Sequence, residues 1–234
     1  MKSCLTRMKT YNTVWIETHR TFFGDATLED SHTTDPVTLT DRLRAWFKWV
    51  LDPVGKFLLG LGLTPNTMTG LGLAGNFLGA YFLSQGRMSL GGWLVLVMTP
   101  IDALDGTMAR LRGDPSDFGA FVDSVSDRYA ELAILGGLLY FYALQADAHG
   151  TILAFLAASG SVLVSYVKAR GESVGYNAKV GLLTRVERYL VLAPLLVLNQ
   201  PMLALWLLAI FGNFTALQRI WYIRRQAHAG TKSK

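Results

Sequence analysis

Apolar residues along this chain fall into long blocks without a charged side chain, at residues 57–86, 88–101 and 189–218. A helix needs about 20 mainly apolar residues to cross the hydrocarbon core of a bilayer. The last block exceeds one crossing, and Asn199-Gln200-Pro201 divides it. With the apolar stretches between these blocks, the pattern predicts six transmembrane helices, at about 64–84, 89–111, 117–143, 150–170, 181–198 and 202–223.

Residues 39–60 show a different pattern, in which apolar and basic residues alternate at helical spacing. Thr40 is a good N-cap, and the apolar side chains that share one helix face are Leu43, Trp46, Phe47, Val50 and Leu51. This pattern predicts an amphipathic helix in the membrane interface. The alternative is a helix that packs on the rest of the protein.

The predicted fold class is therefore an all-α integral membrane protein, with six transmembrane helices preceded by an interfacial amphipathic helix. Four segments are expected: a polar N-terminal extension (1–38), the interfacial helix (39–60), the six-helix membrane domain (61–225) and a basic C-terminal tail (226–234).

Composition agrees with a membrane protein, since 51% of residues are hydrophobic and only 17% are charged. These values exclude collagen-like, disordered and disulfide-stapled chains, and they disfavour an ordinary soluble enzyme. The net charge of +5 comes from basic residues that border the apolar blocks, so it indicates a membrane surface and no nucleic acid. The single cysteine, Cys4, cannot form an intrachain disulfide.

The distribution of Lys and Arg predicts the orientation in the membrane. With six spans, 20 of the 22 basic residues fall on the side that carries both termini and the loops after the second and fourth spans. Basic residues are enriched in cytoplasmic loops. We therefore expect a multi-pass protein of the cell membrane with both termini on the cytoplasmic side.

Four aspartates lie near the cytoplasmic ends of the second and third predicted spans. Asp102 and Asp105 are three residues apart, and Asp123 and Asp127 are four apart, so each pair shares a helix face. A short connection makes the two helices antiparallel neighbours, which allows the four carboxylates to converge at the cytoplasmic surface. Carboxylates in a membrane helix are costly, and oxygen ligands suit a divalent cation such as Mg²⁺ or Mn²⁺. An ion-paired helix hairpin is the alternative.

The spacing of this segment resembles the signature of the CDP-alcohol phosphotransferase family, D-x2-D-G-x2-A-R-x8-G-x3-D-x3-D. The matching positions are Asp102, Asp105, Gly106, Ala109, Arg110, Gly119, Asp123 and Asp127. The resemblance implies transfer of a phosphatidyl-type group from a CDP-linked lipid, such as CDP-diacylglycerol, to an alcohol, with release of CMP. It also implies that the four aspartates bind two Mg²⁺ ions, with Mn²⁺ as an alternative, that Asp127 is the base, and that the protein forms a homodimer.

The same resemblance implies two binding regions for substrates. Residues matching the family's CDP-lipid positions are Thr64, Pro65, Asn66, Thr67, Gly106, Arg110 and Ser116. Four cations at the cytoplasmic ends of the fourth and fifth spans could bind a phosphorylated acceptor, or could extend toward lipid headgroups: Lys168, Arg170, Arg185 and Arg188.

The segments around those cations resemble the branch that makes phosphatidylinositol phosphate or archaetidylinositol phosphate. That resemblance implies inositol 1-phosphate as the acceptor. Glycerol 3-phosphate and an unphosphorylated alcohol are the alternative acceptors for the same reaction. A membrane cation transporter and a non-catalytic CDP-lipid-binding protein are the alternatives from other classes.

Overall fold

The computed structural model describes residues 39–112, 116–178 and 180–230, and within these ranges the chain is helical without a strand. Side chains at 39–48, 50, 102 and 103 lie outside the description, as does the predicted N-terminal extension over residues 1–38. The described helices are α1 (Leu39–Gly60), α2 (Pro65–Ser84), α3 (Met88–Arg112), α4 (Asp117–Leu144), α5 (Ala148–Ser173), α6 (Arg185–Val197) and α7 (Pro201–Ala229).

The predicted helix positions agree with these bounds except at two places. The fifth predicted span was expected to begin at residue 181, but α6 begins only at Arg185, after Thr184 as N-cap. Gly181 has a φ of +148°, which no helical residue adopts, so the helix cannot start there. The last helix was expected to end near 223, but it continues to Ala229 and ends at Gly230, which has a φ of +68°.

Three of these helices are long and apolar enough to cross a membrane, by length and composition alone: Met88–Arg112, Ala148–Ser173 and Pro201–Ala229. The shortest helix, α6, has 13 residues. At 1.5 Å per residue it is about 20 Å long, which is shorter than a hydrocarbon core of about 30 Å. The described chain therefore has the all-helical, apolar architecture of a membrane protein.

Helix α1 forms over the predicted residues and includes Pro53. Its second half packs on the start of α2 and the end of α3, where Leu51, Leu58 and Leu59 contact a small core that contains Met68 and Met108. Trp49, by contrast, is 72% exposed. One face of α1 therefore packs on the rest of the protein, which was the alternative to an interfacial helix. Large apolar side chains on its other faces point outward.

The remaining helices share a larger core. It is formed mainly by leucines and small residues of α4, α6 and α7, among them Leu135, Leu138, Leu192, Leu205 and Leu208. Glycines bring several backbones together: a Cβ on Gly137 would lie 2.4 Å from the carbonyl oxygen of Ala80, and one on Gly92 would lie 2.5 Å from the backbone nitrogen of Val197. Small residues at such contacts allow close helix packing in membranes.

Candidate active site

Asp105 lies in the last two turns of α3 and is buried, with 6% of the residue exposed. The hydroxyl of Thr69, in α2, donates a hydrogen bond of 2.6 Å to Oδ2 of Asp105. The backbone N–H of Gly106 donates to the other carboxylate oxygen, Oδ1. Both donors stabilise the ionised carboxylate and fix its orientation.

Asp127 lies in α4 and is also buried, with 5% of the residue exposed. Its Oδ2 contacts the guanidinium of Arg185, at the first residue of α6, and lies 3.7 Å from Nη1 of Arg128. The side chain of Arg185 remains 37% exposed. A buried carboxylate therefore meets a cation that also faces the outside of the protein.

A second ion pair joins the same two helices one turn further along. Arg188 donates from Nε to Oε1 of Glu131 at 2.6 Å and from Nη2 to Oε2 at 3.0 Å. Arg188 is 2% exposed and Glu131 is 4% exposed. This bidentate pair is enclosed in the protein, and each charge is offset by the other. Arg188 was predicted to contact the acceptor phosphate; that role stays a prediction, and in this structure its guanidinium contacts Glu131.

The other two aspartates of the motif are Asp102 in α3 and Asp123 in α4. Asp123 is partly exposed, one helical turn before Asp127, and the side chain of Asp102 lies outside the described residues. Among the side chains that the structure describes, no three acids, histidines or cysteines are grouped closely enough to hold a metal ion. The oxygen donors of Asp105, Asp123 and Asp127 have the chemistry that Mg²⁺ or Mn²⁺ prefers.

The predicted CDP-lipid residues at the start of α2 form the cap of that helix. Thr64 is the N-cap, Pro65 is the first helical residue, and the backbone N–H of Thr67 donates to the Thr64 hydroxyl at 3.3 Å. Thr64, Asn66 and Thr67 are exposed. The backbone N–H groups of a helix N-terminus favour an anion, so this end of α2 suits a phosphate-bearing ligand.

The predicted CDP-lipid residues around the hairpin are exposed as well. A Cβ on Gly106 would meet no described atom within 4 Å, which leaves the backbone of α3 open beside Asp105. Arg110 contacts the hydroxyl of Thr107 at 3.1 Å. Ser116 caps α4 and accepts a hydrogen bond of 3.0 Å from the N–H of Gly119.

The remaining two predicted acceptor residues lie at the end of α5. Nζ of Lys168 is 3.9 Å from Glu172, and Nη1 of Arg170 is 3.4 Å from the hydroxyl of Ser173. These contacts are within one helix and exposed. Of the four predicted acceptor cations, Arg185 is the one that the described contacts bring to an aspartate of the motif.

Two residues of this site had no predicted role: Thr69 and Glu131. Thr69 follows Pro65 by four residues, so the two residues lie on the same face of α2. This spacing indicates a role for Thr69 only once α3 is packed beside α2. Glu131 follows Asp127 by four residues and continues its acidic face. The sequence pattern assigned no role to this acid, because its partner Arg188 lies on another helix.

Comparison with known proteins identifies the family. Residues 62–218 match the family model described as CDP-alcohol phosphatidyltransferase. A phosphatidylinositol phosphate synthase of Streptomyces avermitilis is 38% identical over 200 residues, which cover 79% of this chain and 82% of that protein.

Solved structures of the Mycobacterium tuberculosis phosphatidylinositol phosphate synthase are also similar. The one with bound CDP-DAG has a TM-score of 0.69 at 30% identity and matches 74% of this chain and 93% of that one. The one in complex with manganese and citrate has a TM-score of 0.70 at 30% identity, covering 74% and 88%.

The chain belongs to the CDP-alcohol phosphatidyltransferase family. It is a metal-dependent transferase of phospholipid biosynthesis, and the predicted family resemblance is confirmed. This membership favours an enzyme over the transporter and over the non-catalytic lipid-binding protein.

Proposed function

We propose that the protein transfers the phosphatidyl group of CDP-diacylglycerol to the hydroxyl of inositol 1-phosphate, and that CMP is released. The observation that carries this proposal is the contact between Arg185 and Asp127. It places a partly exposed cation, suited to an acceptor phosphate, against the carboxylate that would take the proton of the acceptor hydroxyl. The names of the similar synthases agree with this acceptor.

The reaction is a displacement at the phosphorus that carries the lipid. The acceptor oxygen forms the new P–O bond, the phosphoanhydride bond to CMP breaks, and CMP leaves with the bridging oxygen. Asp127 receives the proton that the attacking hydroxyl loses. Asp127 is buried and contacts Arg185, and this contact holds the carboxylate at a fixed position.

Arg185 would hold the acceptor through its phosphate. A guanidinium has five N–H donors in a planar fork, so one edge can contact Asp127 while another binds a phosphate oxygen. Lys168 and Arg170 would add positive charge from the end of α5. Arg188 would act through Glu131, by holding α6 against α4.

The metal-dependent part of the reaction would be supported by the aspartates of the hairpin. We propose that Asp102, Asp105, Asp123 and Asp127 hold two Mg²⁺ ions, with Mn²⁺ as the alternative. Such ions neutralise the charge that develops on the diphosphate as the leaving group departs. Thr69 and the N–H of Gly106 would keep the Asp105 carboxylate oriented for this role.

The donor would bind across the starts of α2 and α4 and the end of α3. Thr64, Pro65, Asn66 and Thr67 would contact the CDP moiety at the N-terminus of α2, where backbone N–H groups attract phosphate. Gly106 leaves room for the diphosphate, and Arg110 and Ser116 supply a guanidinium and a hydroxyl beside it.

We further propose that the chain from α2 to α7 crosses the membrane six times, with α6 and the segment before it together making the fifth crossing, and that the protein forms a homodimer. The site and both termini would lie on the cytoplasmic side of the cell membrane, because basic residues concentrate there. Cysteine labelling from either side of sealed vesicles, at exposed positions of the described chain, tests this orientation.

The decisive experiment measures CMP release by the purified protein with CDP-diacylglycerol, Mg²⁺ and a panel of acceptors. Release with inositol 1-phosphate but not with free inositol is the expected result. Release with glycerol 3-phosphate or an unphosphorylated alcohol alone would keep the reaction and overturn the acceptor. No release with any acceptor would contradict the proposed transfer under these conditions.

A further inference from the structure

The segment between α5 and α6 has no regular secondary structure over its described residues, 174–178 and 180–184. Even so, Ala178 and Leu183 are buried, with 0% and 7% exposed. Buried backbone N–H and C=O groups need hydrogen-bond partners, and irregular backbone in a membrane protein must find them within the protein. The backbone N–H groups of residues 174–176 donate to carbonyls at the end of α5, and side chains of α7 bind backbone groups of Asn177, Val180 and Leu183.

Gln226 and Arg219 bind the first half of the segment. Gln226 accepts from the backbone N–H of Asn177 at 3.1 Å and donates to its carbonyl at 2.6 Å. Arg219, which is 4% exposed, donates from Nε to the carbonyl of Val180 at 2.7 Å. Its Nη1 also donates to the carbonyl of Val164 in α5 at 2.6 Å.

Thr215 binds the second half of the segment. Its hydroxyl oxygen accepts from the backbone N–H of Leu183 at 3.1 Å, and Thr215 is fully buried. Spacings of four and seven residues place all three α7 side chains on one helix face. Their partners run in the opposite order along the chain, so the segment lies antiparallel to α7. The pairs are Gln226 with Asn177, Arg219 with Val180, and Thr215 with Leu183.

The backbone approaches α7 closely at Gly181. A Cβ at this residue would lie 2.6 Å from Cγ2 of Thr215 and 3.4 Å from Nε of Arg219. Its φ of +148° is also a conformation that other residues rarely adopt. The glycine therefore allows the contact that Thr215 and Arg219 make.

The contacts continue from α7 into the candidate active site. The carbonyl of Leu183, whose N–H is held by Thr215, accepts from Nη1 of Arg188 at 3.3 Å. Arg188 binds Glu131 of α4, and Arg185 is the first residue of α6. The segment that α7 holds is thus the segment that fixes where α6 begins and where Arg185 lies.

We propose that Thr215, Arg219 and Gln226 form a clamp of positioning residues that sets the start of α6 and thereby places Arg185 at the acceptor side of the site. The proposal rests on the proposed function, because it assigns the acceptor phosphate to Arg185. The three clamp residues contact no substrate, and they act through backbone groups of the 174–184 segment.

The test compares Thr215→Val with Thr215→Ser. Valine has the shape of threonine but leaves the N–H of Leu183 without its acceptor, whereas serine keeps the hydroxyl. Gln226→Ala, at a partly exposed position, removes two bonds at the other end of the clamp. Asn213→Ala is the matched control, since Asn213 lies on the same helix but donates to Leu156 of α5 and to Ala209.

Two measurements are made on each full-length variant. The first is the KM for inositol 1-phosphate and for CDP-diacylglycerol, from the rate of CMP release. The second is hydrogen–deuterium exchange of the 174–184 backbone, which does not depend on activity. In Thr215→Val and Gln226→Ala we expect faster exchange in this segment. We also expect an acceptor KM raised by about fivefold or more, with the donor KM unchanged.

Thr215→Ser should restore both values, and Asn213→Ala should leave the ratio of the two KM values as in the parent protein. Faster exchange with unchanged acceptor KM would overturn the positioning role while leaving the proposed function in place. Unchanged exchange in both clamp variants would overturn the clamp itself. If the parent protein released no CMP with inositol 1-phosphate, the proposed function would fail, and the exchange data would still decide whether α7 holds the segment.

Discussion

Arg185 and Asp127 are in contact, although one begins α6 and the other lies in the third turn of α4. The pair joins a group suited to bind phosphate with a group suited to accept a proton. One turn away, Arg188 and Glu131 repeat the same acid–arginine arrangement inside the protein. The two neighbouring arginines of α6 thus have different surroundings, because Arg185 is partly exposed and Arg188 is buried, and we expect their variants to differ.

Asp127→Asn should reduce CMP release by a factor on the order of 10² to 10⁴, as loss of a general base does. Asparagine keeps the size of the side chain but cannot accept the proton. Rates at saturating donor and acceptor check this expectation. Asp117→Asn, at an exposed aspartate of the same helix, is the control and should retain activity. Full activity in Asp127→Asn would remove Asp127 from the chemistry.

Arg185→Gln should raise the KM for inositol 1-phosphate more than the KM for CDP-diacylglycerol. The variant loses the cation that we assign to the acceptor phosphate, and it leaves Asp127 without that neighbour. Steady-state kinetics with each substrate varied in turn measures the two values. Arg185→Lys retains the charge without the planar fork, so its acceptor KM should lie between those of the parent protein and Arg185→Gln. Equal changes in both KM values would indicate a role in folding or in lipid contact.

Glu131→Gln and Arg188→Gln should each destabilise the protein by about 3–5 kcal/mol, because each leaves a buried charge without its partner. The double variant should be less destabilised than the sum of the two, since neither charge then remains. Thermal unfolding in detergent, followed by the loss of helical signal, gives the comparison. Additive losses would mean that the two side chains do not stabilise each other.

Much of the fold could be predicted because apolar blocks and turn residues mark the helices directly. The start of α6 could not, because residues 181–184 are as apolar as the helix that follows, and hydropathy does not report the backbone angle of Gly181. That one local conformation moves the helix start to Arg185. The residues around Gly181, namely Asn177, Val180 and Leu183, form backbone hydrogen bonds with side chains of α7.

Only part of the candidate site could be predicted, because residue spacing identifies helix faces but not the contacts between helices. The spacing of the aspartates identifies their helix faces, and the family match supports the reaction. Spacing could not decide between Arg185 and Arg188, which lie three residues apart on one face of α6. The difference depends on Glu131, whose partner lies on another helix and is visible only when α4 and α6 are packed together.

Gly106→Ala should leave the fold intact and raise the KM for CDP-diacylglycerol. No described atom lies within 4 Å of the added methyl group, and alanine is the better helix former, by about 1 kcal/mol. A diphosphate that approaches this backbone would, however, meet the methyl group. Gly136→Ala is the matched control, because its Cβ also meets no described atom. If both variants bound the donor equally well, the diphosphate would have to lie elsewhere.

Thr69→Val should raise the concentration of Mg²⁺ or Mn²⁺ that gives half of the maximal rate. The valine removes the hydroxyl that donates to Oδ2 of Asp105 at 2.6 Å, and the buried carboxylate then loses one of the contacts that orient it. Loss of such a partner behind a metal ligand lowers metal affinity by about 10- to 100-fold. The measured quantity is the metal concentration that gives half of the maximal rate. Thr69→Ser, which keeps the hydroxyl, should restore the parent value, and a half-maximal concentration unchanged in Thr69→Val would show that Asp105 needs no support from α2.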